Sequence, residues 1–132
     1  MSRPKTALIV DDEVHVRVYL RMLLKQLGVT TIHEAGTPDE AISLFRTHRP
    51  EVVLLDLILP GATAEQIFHE LQLIDPDVAV IVVSAQNSLK IVEEMHNMGA
   101  ISYILKHTPR DQMIRMMGEA LDWVDDEPTD TP

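Results

Sequence analysis

Residues 51–61 read Glu51-Val52-Val53-Leu54-Leu55-Asp56-Leu57-Ile58-Leu59-Pro60-Gly61, an apolar run that meets one acid and then turns. A short apolar stretch without polar alternation describes a strand buried on both faces, the kind a parallel sheet needs. A carboxylate at its end is costly, because leaving water takes several kcal/mol unless a cation or hydrogen bonds compensate. Thr6-Ala7-Leu8-Ile9-Val10 has the same character and ends in two more acids, Asp11 and Asp12. If the two strands are parallel neighbours, all three carboxylates meet at the carboxyl edge of the sheet, where open α/β folds gather their ligands.

Working outward, five apolar runs alternate with five segments of helical periodicity. The strands read as residues 6–10, 30–34, 51–55, 78–83 and 101–105. Alternation of this kind predicts an α/β, doubly wound, five-stranded parallel sheet with helices on both faces. The first helix spans about 13–27, with Val16, Leu20, Leu23, Leu24 and Leu27 spaced by three and four, Arg17, Arg21 and Lys25 on another face, and Gly28 as its stop. Thr37 before Pro38 opens a second helix to about 47, and Thr63-Ala64-Glu65-Gln66 fits a capping box for a third. Residues 88–98 form the fourth, closed by Gly99, and Thr108-Pro109 caps a fifth that reaches about Val124. The remaining 125–132, acidic and proline-containing, predict a frayed tail, so the domain is expected over 1–124.

Composition narrows the class. A chain of 132 residues suits one core, and no apolar run approaches the ~20 residues needed to cross a bilayer. A net charge of −10 disfavours direct binding to nucleic acid. Zero cysteines exclude disulfides and thiolate chemistry and suit a reducing cytoplasm. The six histidines lack metal-ligand spacing, so surface or packing roles are expected of them.

In order along the chain, Asp11-Asp12 follow the first strand, Asp56 follows the third with Pro60-Gly61 after it, and Ser84-Ala85 end the fourth. Gly99-Ala100 then lead to Tyr103 and Lys106 on the fifth. This series resembles the receiver domain of bacterial two-component response regulators, especially the stand-alone chemotaxis type, over the whole chain to about Val124. The resemblance implies a flavodoxin-like sheet in the order 2-1-3-4-5. It implies that Asp56 is phosphorylated by a phosphohistidine on a sensor histidine kinase or histidine phosphotransfer protein. It also implies that Mg²⁺ is held by Asp12 chiefly, by Asp11 partly through water, by Asp56, and by the backbone carbonyl of Ile58. Ser84 and Lys106 would contact phosphoryl oxygens, and Tyr103 would swing inward as Ser84 is drawn to the phosphate. Such a chain is no enzyme beyond catalysing its own phosphorylation and dephosphorylation.

These residue types suit that chemistry. Mg²⁺ prefers carboxylates, carbonyls and water, and phosphoryl transfer needs an in-line nucleophile with positive charge on the equatorial oxygens. Each residue also has a plainer reading: Asp11 and Asp12 as helix-dipole partners, Lys106 as a solvated strand-end lysine, Ser84 as a turn hydroxyl, Tyr103 as packing. On the last helix, Met113, Ile114, Met117, Leu121 and Val124 form the sheet-facing stripe. Met116, Ala120 and Trp123 form a second strip which, with the fourth helix and Tyr103, is expected to be a partner or dimer surface.

Three departures from the family pattern stand out. Lys106 is followed by His107, with proline delayed to Pro109, which predicts a different loop path. Thr63-Ala64 replace the usual Asp-Gly pair. Ile58 and Gln86 occupy the positions that tune water access to the acyl phosphate, and an aliphatic Ile58 predicts a longer-lived phosphoryl state. With no output module in these residues, the expected output is protein contact or onward transfer, unless the chain is the receiver piece of a longer regulator. A haloacid-dehalogenase-like phosphohydrolase would also use a strand-end aspartate, but it expects a second acid where this chain has Ile58. A receiver that has lost its chemistry and only binds partners is disfavoured by the retention of all five site residues.

Overall fold

A computed structural model describes residues 3–124, so the expected tail at 125–132 lies outside the described residues. The elements run β1 (Thr6–Val10), α1 (Val14–Gln26), β2 (Thr31–Ala35), α2 (Pro38–His48), β3 (Val52–Leu55), β4 (Ile58–Leu59), β5 (Ala62–Thr63), α3 (Ala64–Ile74), β6 (Val80–Ser84), α4 (Leu89–Met98), β7 (Ser102–Leu105) and α5 (Arg110–Val124). Five strands pair in parallel in the order β2-β1-β3-β6-β7, which is the predicted order once the short β4–β5 pair is set aside. No helix among the described residues is long and apolar enough to cross a membrane.

Alternate residues of each strand supply two cores. Ala7, Ile9, Val52, Leu54, Ile81, Val83 and Ile104 face α1 and α5, where Leu20, Leu23, Leu24, Met113, Met117 and Leu121 meet them. Leu8, Val10, Val53, Leu55, Val80 and Val82 face α2, α3 and α4 through Phe45, Ile67, Phe68, Leu71 and Met95. A strand buried on both faces has no room for a charge along its length, so charged side chains collect where the strands end.

The predicted caps of α2 and α3 form. Thr37 Oγ1 accepts the Glu40 amide at 3.2 Å, and Thr63 and Gln66 exchange reciprocal bonds of 3.1 and 2.9 Å. Other expectations need correction. The fourth predicted strand starts later and runs further, Val80–Ser84, because Val78 still belongs to the turn in which its amide donates to the Asp75 carbonyl at 3.0 Å. The segment after Asp56 contains an antiparallel pair, Ile58↔Thr63 and Leu59↔Ala62, folded over Pro60-Gly61. Thr108 does not accept from the α5 amides; its hydroxyl donates back to the Leu105 carbonyl at 2.6 Å, and the first helical bond goes from the Met113 amide to Pro109. Ala120 is 3% exposed and belongs to the core, so the expected second strip on α5 reduces to half-buried Met116 and exposed Trp123.

Candidate functional site

Register brings the acids together. Val10 lies opposite Leu55 in the β1–β3 ladder, and the Asp56 amide donates to the Val10 carbonyl at 2.9 Å, so Asp11 and Asp56 leave neighbouring strands side by side. On the other flank Ser84 lies opposite Leu105, and the Lys106 amide donates to the Ser84 carbonyl at 2.9 Å. Four parallel strands therefore deliver Asp11, Asp56, Ser84 and Lys106 to one edge, with Asp12 following Asp11.

Among the described residues, Asp11, Asp12 and Asp56 form a group in which one carboxylate oxygen from each lies within 4.8 Å of the other two. Asp11 and Asp56 are buried, at 1% and 3% exposed, whereas Asp12 is open to solvent. Lys106 Nζ reaches Asp11 Oδ2 at 2.9 Å, Asp56 Oδ2 at 3.2 Å and Glu13 Oε1 at 3.3 Å. The contact with Asp11 is an ion pair of poor hydrogen-bond direction, because buried Asp11 Oδ2 accepts no hydrogen bond of good geometry. Its partner oxygen Oδ1 accepts the Glu13 amide at 2.8 Å, and Asp56 Oδ1 accepts the Ile58 amide at 3.3 Å.

The electrostatics follow. Burial, and then the neighbouring Asp11 charge, raise the Asp56 pKa above the ordinary carboxylate range, although Lys106 and the Ile58 amide pull the other way. Burial acts against the Lys106 ammonium, yet the close carboxylates of Asp11 and Asp56 outweigh it and hold its pKa well above the usual lysine value. One lysine therefore stays charged among acids it does not fully neutralise.

Ser84 is fully buried, and its Oγ accepts the Gln86 amide at 3.2 Å. Half-buried Tyr103 donates its hydroxyl to the Gln86 carbonyl at 2.7 Å; burial raises its pKa, and the Ser84 hydroxyl partly offsets the rise. Both side chains are thus tied to the two backbone polar groups of one residue. Ile58 lies at the rim, 53% exposed. Sequence reading missed Glu13 as a Lys106 partner, since an acid in a first helical turn reads as a dipole residue and nothing local points to a lysine 93 positions away.

The chain matches the response regulator receiver domain family across residues 7–118. It belongs to that family. Sporulation initiation phosphotransferase F of Bacillus subtilis strain 168 is 29% identical over 106 residues, covering 80% of this chain and 85% of the relative. Chemotaxis protein CheY of Thermotoga maritima is 30% identical over 102 residues, covering 77% and 85%. Among solved structures, the CheX–CheY complex with BeF3 and Mg²⁺ from Borrelia burgdorferi contains a chain that aligns with a TM-score of 0.81 at 24% identity, covering 89% of each chain. At that identity the likeness concerns the fold, and in the fold this receiver is ordinary. As such it is a signal-transducing domain of two-component systems.

The acidic group of this receiver suits a hard divalent cation. Three carboxylates converge, and the buried Asp11 oxygen without a hydrogen bond is the kind of atom a metal satisfies.

Proposed function

We propose that this receiver takes a phosphoryl group onto Asp56 from a phosphohistidine of a sensor histidine kinase or histidine phosphotransfer protein, in a step that requires Mg²⁺. The observation that carries the reading is the convergence of three carboxylates on the strand ends with Lys106 bonded to Asp56. Asp12, Asp11, Asp56 and the Ile58 carbonyl would hold the ion. When bound, Mg²⁺ supplies the charge that lets one anion approach another.

The chemistry of the chain itself is spare. An Asp56 carboxylate oxygen forms the bond to phosphorus as the P–N bond breaks and its electron pair returns to the donor imidazole. Lys106, already 3.2 Å from Asp56, pairs with a phosphoryl oxygen. Ser84 Oγ accepts from Gln86 and keeps its own proton to donate to another oxygen. Because Gln86 also holds the Tyr103 hydroxyl, moving Ser84 toward a phosphate disturbs the tyrosine, which supports a switch role for the pair. Ile58 beside Asp56 supports a long-lived acyl phosphate. Tyr103, half-buried Met116 and the groove between α4 and β7, lined by Val92, His96 and Ile101, are the surface we assign to an effector or a second copy.

The phosphodonor is assigned to α1. Val14, Val18 and Met22 are 63%, 49% and 57% exposed and recur every four residues, forming an apolar stripe that begins beside Glu13 at the mouth of the site. Serine at Val18 and Met22 should slow transfer from a phosphorylated donor protein while leaving labelling by acetyl phosphate unchanged. Equal slowing with both donors would remove the stripe from the reading.

The test of the whole reading is intact mass after incubation with acetyl phosphate or phosphoramidate, with and without Mg²⁺. Wild type should gain one phosphoryl group only with the metal, and Asp56→Ala none. Labelling of Asp56→Ala, or labelling without any divalent ion, overturns it.

A further inference from the structure

Asp11 is gripped at three of its four polar points. Its amide donates to the Ala35 carbonyl at 3.0 Å, its Oδ1 accepts the Glu13 amide at 2.8 Å, and its carbonyl accepts Nη1 of Arg17 at 2.6 Å. The point left without a hydrogen bond is Oδ2, the oxygen turned toward Lys106 and the carboxylate group. Of the three grips, the one from Arg17 is a charged donor on a carbonyl, the stronger class of hydrogen bond.

Arg17 is itself held. Its Nε donates to Glu34 Oε1 at 3.1 Å, and the other oxygen of Glu34 takes Arg21 Nη1 at 3.0 Å. Arg21 is fixed in turn by the Ile32 carbonyl at 3.3 Å. The Arg17 side chain is only 16% exposed, and the turn between β2 and α2 leaves room for it: a Cβ at Gly36 would stand 3.1 Å from Arg17 Nη1. A packed guanidinium, an acid that orients it and a glycine that makes way for it all converge on one backbone oxygen of the acidic loop.

We propose that Arg17, oriented by Glu34, is a positioning residue for the cation site, clamping the Asp11 carbonyl so that Asp11 Oδ2 and Asp12 face the ion before it arrives. The inference rests on the reading that Asp11, Asp12 and Asp56 hold a divalent cation. Its physical basis is preorganisation: a loop of acids that repel one another spreads apart unless something outside the group fixes its backbone. Arg17 does this from outside the carboxylate group, through the Asp11 carbonyl, while Glu34 holds its Nε.

The experiment is a calorimetric titration of the full chain with MgCl₂, paired with a thermal melt in chelator, for wild type, Arg17→Ala, Arg17→Lys, Glu34→Gln, Asp12→Asn and a core control, Leu23→Ala. Arg17→Ala should weaken Mg²⁺ binding about 10-fold. Arg17→Lys should recover part of that loss, since an ammonium can still reach the carbonyl, and Glu34→Gln should weaken binding less than Arg17→Ala. Leu23→Ala should lower the melting temperature while leaving Mg²⁺ affinity within about two-fold of wild type. Mg²⁺ affinity unchanged in Arg17→Ala, or weakened equally in Leu23→Ala, overturns the positioning role. Equal affinity of Asp12→Asn and wild type overturns the cation reading itself, which is a separate failure.

Discussion

Two ionic clusters flank the turn between β1 and α1, and they are built on opposite plans. In one, a single lysine, Lys106, stands among Asp11, Glu13 and Asp56, with Asp12 close by. In the other, a single acid, Glu34, stands between two arginines that each hold a backbone carbonyl as well. The Glu34 cluster is complete: both carboxylate oxygens accept a hydrogen bond. The Lys106 cluster is not, for it leaves a buried oxygen on Asp11 without a hydrogen bond, and burial, then the Asp11 charge, push the Asp56 pKa up in spite of the lysine. A deficit of that kind opposes folding, and it persists where something from outside is meant to fill it.

The comparison breaks most visibly at Lys106. Lys106→Met removes the one cation that contacts three acids among the described residues, and the apo protein should lose about 2 to 3 kcal/mol of stability, a figure reduced from the fully buried case because the lysine is partly solvated. Its raised pKa means that the lysine contribution is complete at neutral pH and fades only in strong alkali. Saturating Mg²⁺ should restore much of the loss, read as a larger metal-induced rise in melting temperature than wild type shows. A loss that Mg²⁺ leaves untouched would mean that the lysine is merely structural.

Asp56→Asn should act in the opposite direction, stabilising the metal-free protein at neutral pH by less than Lys106→Met destabilises it. The sign follows from linkage. Because the folded-state pKa of Asp56 is raised, the native form binds its proton more tightly than the unfolded chain does. Stability without metal therefore falls as pH climbs from the ordinary aspartate range through the raised value, and the asparagine variant should lose that slope in denaturant titrations across acidic to neutral pH. Mg²⁺ affinity of wild type should fall as pH drops through the same window.

The smallest effect belongs to the complete cluster. Glu34→Gln should cost about 0.5 to 1 kcal/mol in chelator, because the pair it breaks is partly exposed. A loss there as large as that of Lys106→Met would erase the contrast between the two clusters.

The contrast also explains what could be read from the residues alone. Apolar runs ending in acids announced both the sheet and the site, since a strand buried on two faces can carry charge only where it stops. Parallel register then brought Asp11, Asp56, Ser84 and Lys106 to one edge. Less was legible wherever a partner lay on another element. Arg17 and Arg21 read as a solvated helix face, and nothing nearby in sequence pairs them with Glu34 on the next strand. Ala120 read as surface because helical spacing assigns faces to about a quarter turn, too coarse to separate a core edge from a strip beside it. The Ile58–Leu59 and Ala62–Thr63 pair escaped because two-residue strands carry no periodicity.

The strand order has one more consequence, for the birth of the molecule. As the chain leaves the ribosome, Asp11, Asp12 and Asp56 are made long before Lys106, which follows the last strand of the sheet. Until β7 docks along β6, a nascent chain holds the repulsive acids without their counter-charge, so closure of the sheet and relief of that repulsion occur in a single late event. Fragments that end before residue 106 should depend on Mg²⁺ to compact more than the full chain does.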